Sequence, residues 1–228
     1  MKRIFDIVAS GFGLLVMSPV FLILAIWIKL DSKGPVFYRQ VRVGRKNRDF
    51  RIFKFRSMRV GADKMGLITV GGHDPRVTRS GYFIRKYKLD EFPQLINVFI
   101  GDMSLVGPRP EVRKYVDLYT SEQMQVLDVR PGVTSLASIR YRNENELLEK
   151  VEDSDQYYIN VVMQDKLAID LEYIRNVSFG YDIRLVLFKT FLGVLFVDST
   201  YVLFIPLKTF LRDMQTIQSA VVNQRQEV

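Results

Sequence analysis

Between Asp6 and Lys29 the chain runs for 22 residues, Ile7 to Ile28, without a charged side chain. As a helix this stretch reaches roughly 33 Å, enough to cross a hydrocarbon core of about 30 Å. A cleaved leader does not fit, because the apolar run is too long and no small-x-small site precedes the basic residues that follow. Ser18-Pro19 falls near the middle, where proline removes a backbone donor and crowds the preceding turn, so a kink is predicted there. Both flanks are basic, Lys2 and Arg3 before, Lys29, Lys33 and Arg39 after. Basic flanks favour the cytoplasmic side. A kinked spanning helix and a hairpin that enters and returns, each arm about 15–18 Å deep, both satisfy this pattern.

After Gly34-Pro35, Val36 to Val43 alternates as a strand, Gly44 to Asp49 is a polar turn, and Phe50 to Arg56 returns with basic and aromatic residues interleaved. This predicts a β-hairpin with Ile52, Lys54 and Arg56 on one face. Gly61 to Arg79 reads as a loop, Ser80 to Tyr87 as a helix, and Glu91 to Ile100 as a second helix with Phe92, Leu95, Ile96 and Phe99 at helical spacing. Val106 to Pro110 is a rigid connector, Glu111 to Leu118 is helical, and Asp128 to Asn145 is a long loop with short extended pieces. Leu167, Leu171, Ile174 and Val177 mark one face of a helix beginning near Asp155. In the C-terminal part, Lys189 and Asp198 divide the apolar residues into uncharged runs of eight and nine, too short to span, which suggests interfacial or packing segments. The fold class is α+β, mostly helical with a small hairpin. Its parts are residues 1–31, a membrane helix; 32–192, the main domain; and 193–228, an amphipathic or oligomer-contact tail.

Composition narrows the chemistry. The 228 residues contain no cysteine and one histidine, so disulfides, thiolate metal sites, a Cys nucleophile and a multi-His metal site are excluded. What remains is Asp, Glu, Lys, Arg and hydroxyls. The net charge is +8, yet Lys29 to Arg59 alone carries eleven basic against two acidic residues. A local +9 beside an apolar segment suits an anionic partner such as phospholipid headgroups, a phosphorylated substrate or nucleic acid.

Asp90-Glu91 precede Phe92-Pro93, which places Asp90 at a helix N-cap and Glu91 in the first turn. Helix N-termini attract phosphate as well as carboxylate. An Asp there can act as a nucleophile on phosphorus, and the neighbouring Glu can help hold Mg²⁺, with Asp90 and Glu91 as candidate metal ligands. A plain cap is the competing reading, and for an isolated pair it is the commoner one. Arg85 can grip phosphate through a guanidinium fork, or simply form a solvated helix face. Arg109 lies between two prolines that fix its backbone, which favours ligand recognition. Lys54 and Arg56 can meet a diphosphate or lipid phosphates. His73, beside Gly72 and Asp74-Pro75, reads as a loop residue, and Trp27 at the end of the apolar run suits a membrane interface.

Lys54-Phe55-Arg56-Ser57-Met58, Asp74-Pro75-Arg76-Val77-Thr78, Leu89-Asp90-Glu91-Phe92-Pro93-Gln94-Leu95 and Gly101 to Glu111, followed by Arg130-Pro131-Gly132-Val133-Thr134, together resemble the bacterial sugar transferase family, small monotopic phosphoglycosyl transferases. The resemblance runs from Lys2 to about Leu192. It implies transfer of a sugar-1-phosphate from a UDP-sugar to polyprenyl (undecaprenyl) phosphate with release of UMP, initiating polysaccharide or glycoconjugate assembly. It also implies a covalent phosphosugar on Asp90, a role for Glu91 with Mg²⁺, and phosphate or nucleotide contacts at Lys54, Arg85 and Arg109. The N-terminal helix would be re-entrant, broken at Ser18-Pro19, with the catalytic domain on the cytoplasmic face of the inner membrane and no nucleic acid partner. Ser135 to Glu144 departs from the family pattern and leaves the sugar open. A homodimer contact is one expectation for the tail. Two other readings compete. An anchored basic protein binding lipid or nucleic acid without catalysis needs only the Lys29–Arg59 charge, and a Mg²⁺-dependent phosphohydrolase would transfer to water.

Overall fold

A computed structural model describes residues 1–65, 74–141 and 144–195, without the side chains of 63, 64, 146 and 188–195. His73, part of the Gly61–Arg79 loop and nearly all of the expected 193–228 tail lie outside the described residues. Residues 1–191 form one compact unit.

Helix α1, Lys2–Asp31, runs as one 30-residue element with Pro19 inside it, where the sequence predicts a break. The proline cannot donate to the carbonyl of Leu15, and the Ser18 hydroxyl donates to that oxygen instead, at 2.8 Å. This substitution preserves the hydrogen-bonded run. Asp6, Ser10, Leu24 and Ile28 form a buried stripe at separations of 4, 14 and 4 residues, close to whole helical turns, whereas Phe12, Leu15, Val16, Val20, Leu22, Ile23 and Ile26 are exposed. The helix is long and apolar enough to cross a membrane.

Both ends of α1 are tied to the same compact unit. Near the start, Lys2 pairs with the buried Asp182 and donates to the Val106 carbonyl at 3.0 Å, and the Leu105 amide donates to Asp6 at 3.1 Å. At the other end, Asp31 accepts from the amide and hydroxyl of Ser80, at 2.9 and 2.8 Å. Ser80 lies in the first turn of α2, Arg79–Lys86, so one carboxylate takes up an otherwise unpaired helix donor and favours the dipole. Thr78 caps the same helix by accepting from the Gly81 amide at 3.0 Å.

The predicted hairpin is present. Strands β1, Phe37–Val43, and β2, Asp49–Phe55, pair antiparallel with Phe37 opposite Phe55, and a 3₁₀ turn at Arg45–Asn47 joins them. Ile52 and Phe55 are buried, the first against Val98 and Met103, the second against Leu24, Ile28 and Ile84. Arg56, just past β2, is 4% exposed. Its guanidinium donates to the carbonyls of Pro35, Lys33 and Ser32 at 2.7, 2.7 and 2.8 Å. The side chain expected to meet substrate phosphate is therefore committed to the α1–β1 turn, because three backbone oxygens there have no helix or strand partner. Arg56→Met should lower stability by roughly 3 kcal/mol, since charged hydrogen bonds are lost and buried carbonyls are orphaned. A thermal melt checks this; the Michaelis constant for a nucleotide substrate should not move.

A second sheet was not anticipated. Strand β3, Ser104–Val106, pairs parallel with β4, Gly132–Thr134. A Cβ on Gly132 would sit 2.2 Å from the Gly107 nitrogen, so only glycine permits this approach. The Gly132 amide donates to the Pro108 carbonyl at 2.8 Å and the Gly107 amide to Thr134 at 3.0 Å. The Gly107-Pro108-Arg109-Pro110 and Arg130-Pro131-Gly132 segments thus brace each other.

The predicted 111–118 helix is one turn, α4, Arg113–Val116. Short helices α5, Leu136–Arg140, and α6, Glu144–Glu149, occupy part of the expected long loop. The helix expected from Asp155 is instead α7, Ser154–Tyr157, a π turn at Tyr158–Val162, and α8, Met163–Arg175. Leu167 and Leu171 are core, whereas Val177 lies past the helix end and is exposed. Helix α9, Phe179–Leu195, follows. Overall the described chain is mainly helical with two small sheets, consistent with the α+β class.

Candidate active site

The segment carrying Asp90 and Glu91 is shaped by a reversal after α2. Lys88 adopts φ +55°, a left-handed conformation that costs a non-glycine residue on the order of 1 kcal/mol. A 3₁₀ turn, Leu89–Glu91, follows, and α3 occupies Gln94–Ile100. Asp90 is thus inside a 3₁₀ turn, not the N-cap that the sequence suggested. Phe92 and Pro93 remain in the right-handed helical region, so the turn leads directly into α3. The proline falls where its missing donor is not needed.

Three elements deliver cations to this turn. Lys54, from β2, places Nζ 3.6 Å from Glu91 Oε1. Arg109, from the proline-braced loop, forms a two-pronged ion pair, with Nη2 on Glu91 Oε1 and Nη1 on Oε2 at 3.3 Å. Arg85, in the last turn of α2, has no ion pair among the described residues, and its charge acts on Asp90. The structure therefore brings together Lys54, Arg85, Asp90, Glu91 and Arg109 and leaves Arg56 elsewhere.

The electrostatics differ within the adjacent acids' surroundings. Burial raises the Asp90 carboxyl above the ordinary Asp range; Lys54 opposes the rise, Glu91 adds to it, and Arg85 and Lys88 oppose it. Burial lowers the Lys54 ammonium, against the pull of Glu91 and Asp90 and with the help of the Arg109 and Arg42 charges. Glu91, then burial in the opposite sense, sets Arg109, whose guanidinium is held firmly protonated. Glu91 is thus the anchor that gathers two cations beside Asp90. A phosphate arriving there would find positive charge already in place, with little reorganisation.

No group of three or more His, Cys, Asp or Glu side chains able to hold a metal occurs among the described residues. Asp90 and Glu91 are consecutive in the chain, and both Glu91 oxygens accept from Arg109, so a Mg²⁺ bound there, which commonly takes one or two protein oxygens and completes its shell with phosphate oxygens and water, would share Glu91 with that guanidinium.

Glu111 was not anticipated as a brace. It accepts from Arg42 at 2.7 Å, from the Val112 amide at 3.1 Å and from the Tyr158 hydroxyl, tying β1 and the π turn to the Arg109 loop. Its position directly after Pro110 was the available signal. The basic block is also less uniform than its sequence suggests. Arg42 turns to Glu111, Lys54 to Glu91 and Arg56 to the backbone, and Arg39 lies 4.5 Å over the Phe53 ring.

The sequence matches the bacterial sugar transferase family over residues 1–197. It is 42% identical over 197 residues to a UDP-N-acetylgalactosamine-undecaprenyl-phosphate N-acetylgalactosaminephosphotransferase of Aeromonas hydrophila, covering 85% of this chain and 43% of that one. Identity to a UDP-glucose:undecaprenyl-phosphate glucose-1-phosphate transferase of Escherichia coli is 39% over 197 residues, covering 85% of this chain and 40% of that one. A Caulobacter vibrioides protein of the same name is 36% identical over 204 residues, covering 88% and 72%. The chain spans about two fifths of the length of the first two. With the match extending through α1, the hairpin, the Asp90–Glu91 turn and the Arg109 loop, the chain belongs to the bacterial sugar transferase family.

Proposed function

We propose that this chain transfers a sugar-1-phosphate from a UDP-sugar to undecaprenyl phosphate, releasing UMP through a phosphosugar intermediate on Asp90. The observation that carries the proposal is the Asp90–Glu91 turn, ringed by Lys54, Arg85 and Arg109 in a unit that also presents an apolar helix face. The names of the three relatives above pair a UDP-sugar with undecaprenyl phosphate, which supports these as donor and acceptor.

In the first step an Asp90 carboxylate oxygen bonds to the sugar-bearing phosphorus. The bond from that phosphorus to the bridging oxygen breaks, and UMP leaves with the electron pair. In the second, a phosphate oxygen of the lipid bonds to the same phosphorus, and the phosphorus–Asp90 bond breaks, restoring the carboxylate. Both leaving and attacking groups are anions, so Lys54, Arg85 and Arg109 offset charge during each displacement. Asp90 and Glu91 would hold Mg²⁺, which when bound neutralises charge on the diphosphate oxygens.

The acceptor is lipid-borne, and α1 is the natural membrane element. Its two ends bond to one compact unit, although 30 helical residues reach roughly 45 Å. That favours a helix that enters one leaflet and stays with its domain over one that carries its ends to opposite sides. The basic flanks favour the cytoplasmic face of the inner membrane.

UMP release, measured over a panel of UDP-sugars with undecaprenyl phosphate in detergent or nanodiscs, tests the proposal. At least one sugar should give release that requires the lipid for repeated turnover. Asp90 must be ionised to attack, so kcat/KM should fall as pH drops through its raised pKa, with an acid limb above the usual Asp range near 3.9. Release with water alone as acceptor would instead identify a phosphohydrolase.

A further inference from the structure

We propose that Asn97 is a positioning residue that sets the register of α3 along β2 and so holds Glu91 and Asp90 against Lys54. The inference rests on Asp90 and Glu91 being the reacting pair.

Asn97 interrupts the apolar run Leu95-Ile96-Asn97-Val98-Phe99 and is fully buried in α3. Burying a primary amide costs free energy unless it is paired. Here the side chain accepts from the Phe53 amide at 2.8 Å and donates to the Arg51 carbonyl at 2.9 Å and Asp102 Oδ2 at 3.3 Å. Arg51 and Phe53 are alternate residues of β2, and their main-chain groups on this edge face away from β1. The side-chain amide therefore takes the place that a peptide unit of a third strand would take. The contact is specific in a way that the neighbouring packing is not. Val98 meets Ile52 and Met103 through apolar contacts, which tolerate sliding, whereas an amide bonded to two β2 groups has one register.

The residue after Phe53 is Lys54, and the turn that precedes α3 carries Asp90 and Glu91. Asn97 thus joins the two elements whose side chains must meet, with Lys54 Nζ 3.6 Å from Glu91. A displacement of about 1 Å in such a constellation can cost about 100-fold in rate.

Asn97→Ala, in nanodiscs, should lower kcat for UMP release about 100-fold with KM for the UDP-sugar within about threefold. Val98→Ala, which opens a cavity beside it but keeps the amide, should lose stability with kcat within about threefold. Combining Asn97→Ala with Lys54→Ala should give losses that do not multiply, since both break one arrangement. The chain has no cysteine, so spin labels at Arg48→Cys, one residue before β2, and at Ile100→Cys, the last residue of α3, report the separation of the hairpin from α3 without any activity. Their distance distribution should shift or broaden in Asn97→Ala and not in Val98→Ala. Unchanged kcat and unchanged spin distances in Asn97→Ala, or losses that multiply with Lys54→Ala, would overturn the proposal. If wild-type protein turns over no UDP-sugar, the transferase reading fails, and the spin-label distances alone still decide whether Asn97 sets the register.

Discussion

Asp90→Asn is expected to retain folding and membrane association and to lose at least about 10⁴-fold in UMP release, the scale seen when a nucleophile is removed. Asparagine matches aspartate in size but lacks the anionic oxygen that forms the phosphorus bond. It also removes a negative charge next to Glu91, so the folded state should not suffer from the change: burial already disfavours the ionised form of Asp90. Incubation with a UDP-sugar labelled in its sugar, without lipid acceptor, should leave radioactivity on wild-type protein and none on Asp90→Asn. Labelling of the mutant would eliminate the covalent mechanism assigned to this residue. Adding undecaprenyl phosphate to labelled wild-type protein should move the label into the lipid.

Arg109→Lys should cost about 10²–10³-fold in kcat, although it conserves charge. Arg109 reaches both oxygens of Glu91 from a loop whose backbone is fixed by Pro108 and Pro110 and by the β3–β4 pairing. Lysine has a single rotatable ammonium and cannot span two carboxylate oxygens. Glu91 would then be held mainly by Lys54, and the cation count near Asp90 would be unchanged while its geometry was not. A loss in kcat with little change in melting temperature is therefore expected, and steady-state kinetics beside a thermal melt checks it. A large drop in melting temperature with kcat preserved would make Arg109 a brace for the loop and not part of the charge-offsetting group.

Part of the site is legible in the sequence. Asp90, Glu91 and Arg85 read on their own more commonly as a helix cap and a solvated face, and the family resemblance is what made them site candidates. Arg109 stood out because its flanking prolines are local, and local backbone restriction is encoded in a few consecutive residues. The hairpin was legible for the same reason: alternation and a polar turn need no distant partner. Arg56 was not. On strand periodicity it shares a face with Lys54, yet the backbone turn at Ser32–Pro35 offers three carbonyls, and only the docking of α1 brings them there. The β3–β4 pairing is not legible in the sequence, because strands of three residues carry almost no periodic signal. Asn97 left a faint one, a polar residue within an apolar helix run, with nothing to say what would satisfy it.

What the sequence by itself determined is the set of local propensities: an apolar helix interrupted by one proline, a basic hairpin, a turn bearing two acids, and an arginine locked between prolines; that α1 continues through Pro19, with Ser18 serving the Leu15 carbonyl, is a result of the fold. What only the tertiary structure decided is which charges meet. Eleven basic residues in one block look alike in sequence, but burial and the competition for each carboxylate and carbonyl sort them. Lys54 goes to Glu91, Arg42 to Glu111 and Arg56 to the backbone, because a charge leaving water must find a partner within hydrogen-bonding distance, and distance is set by the fold.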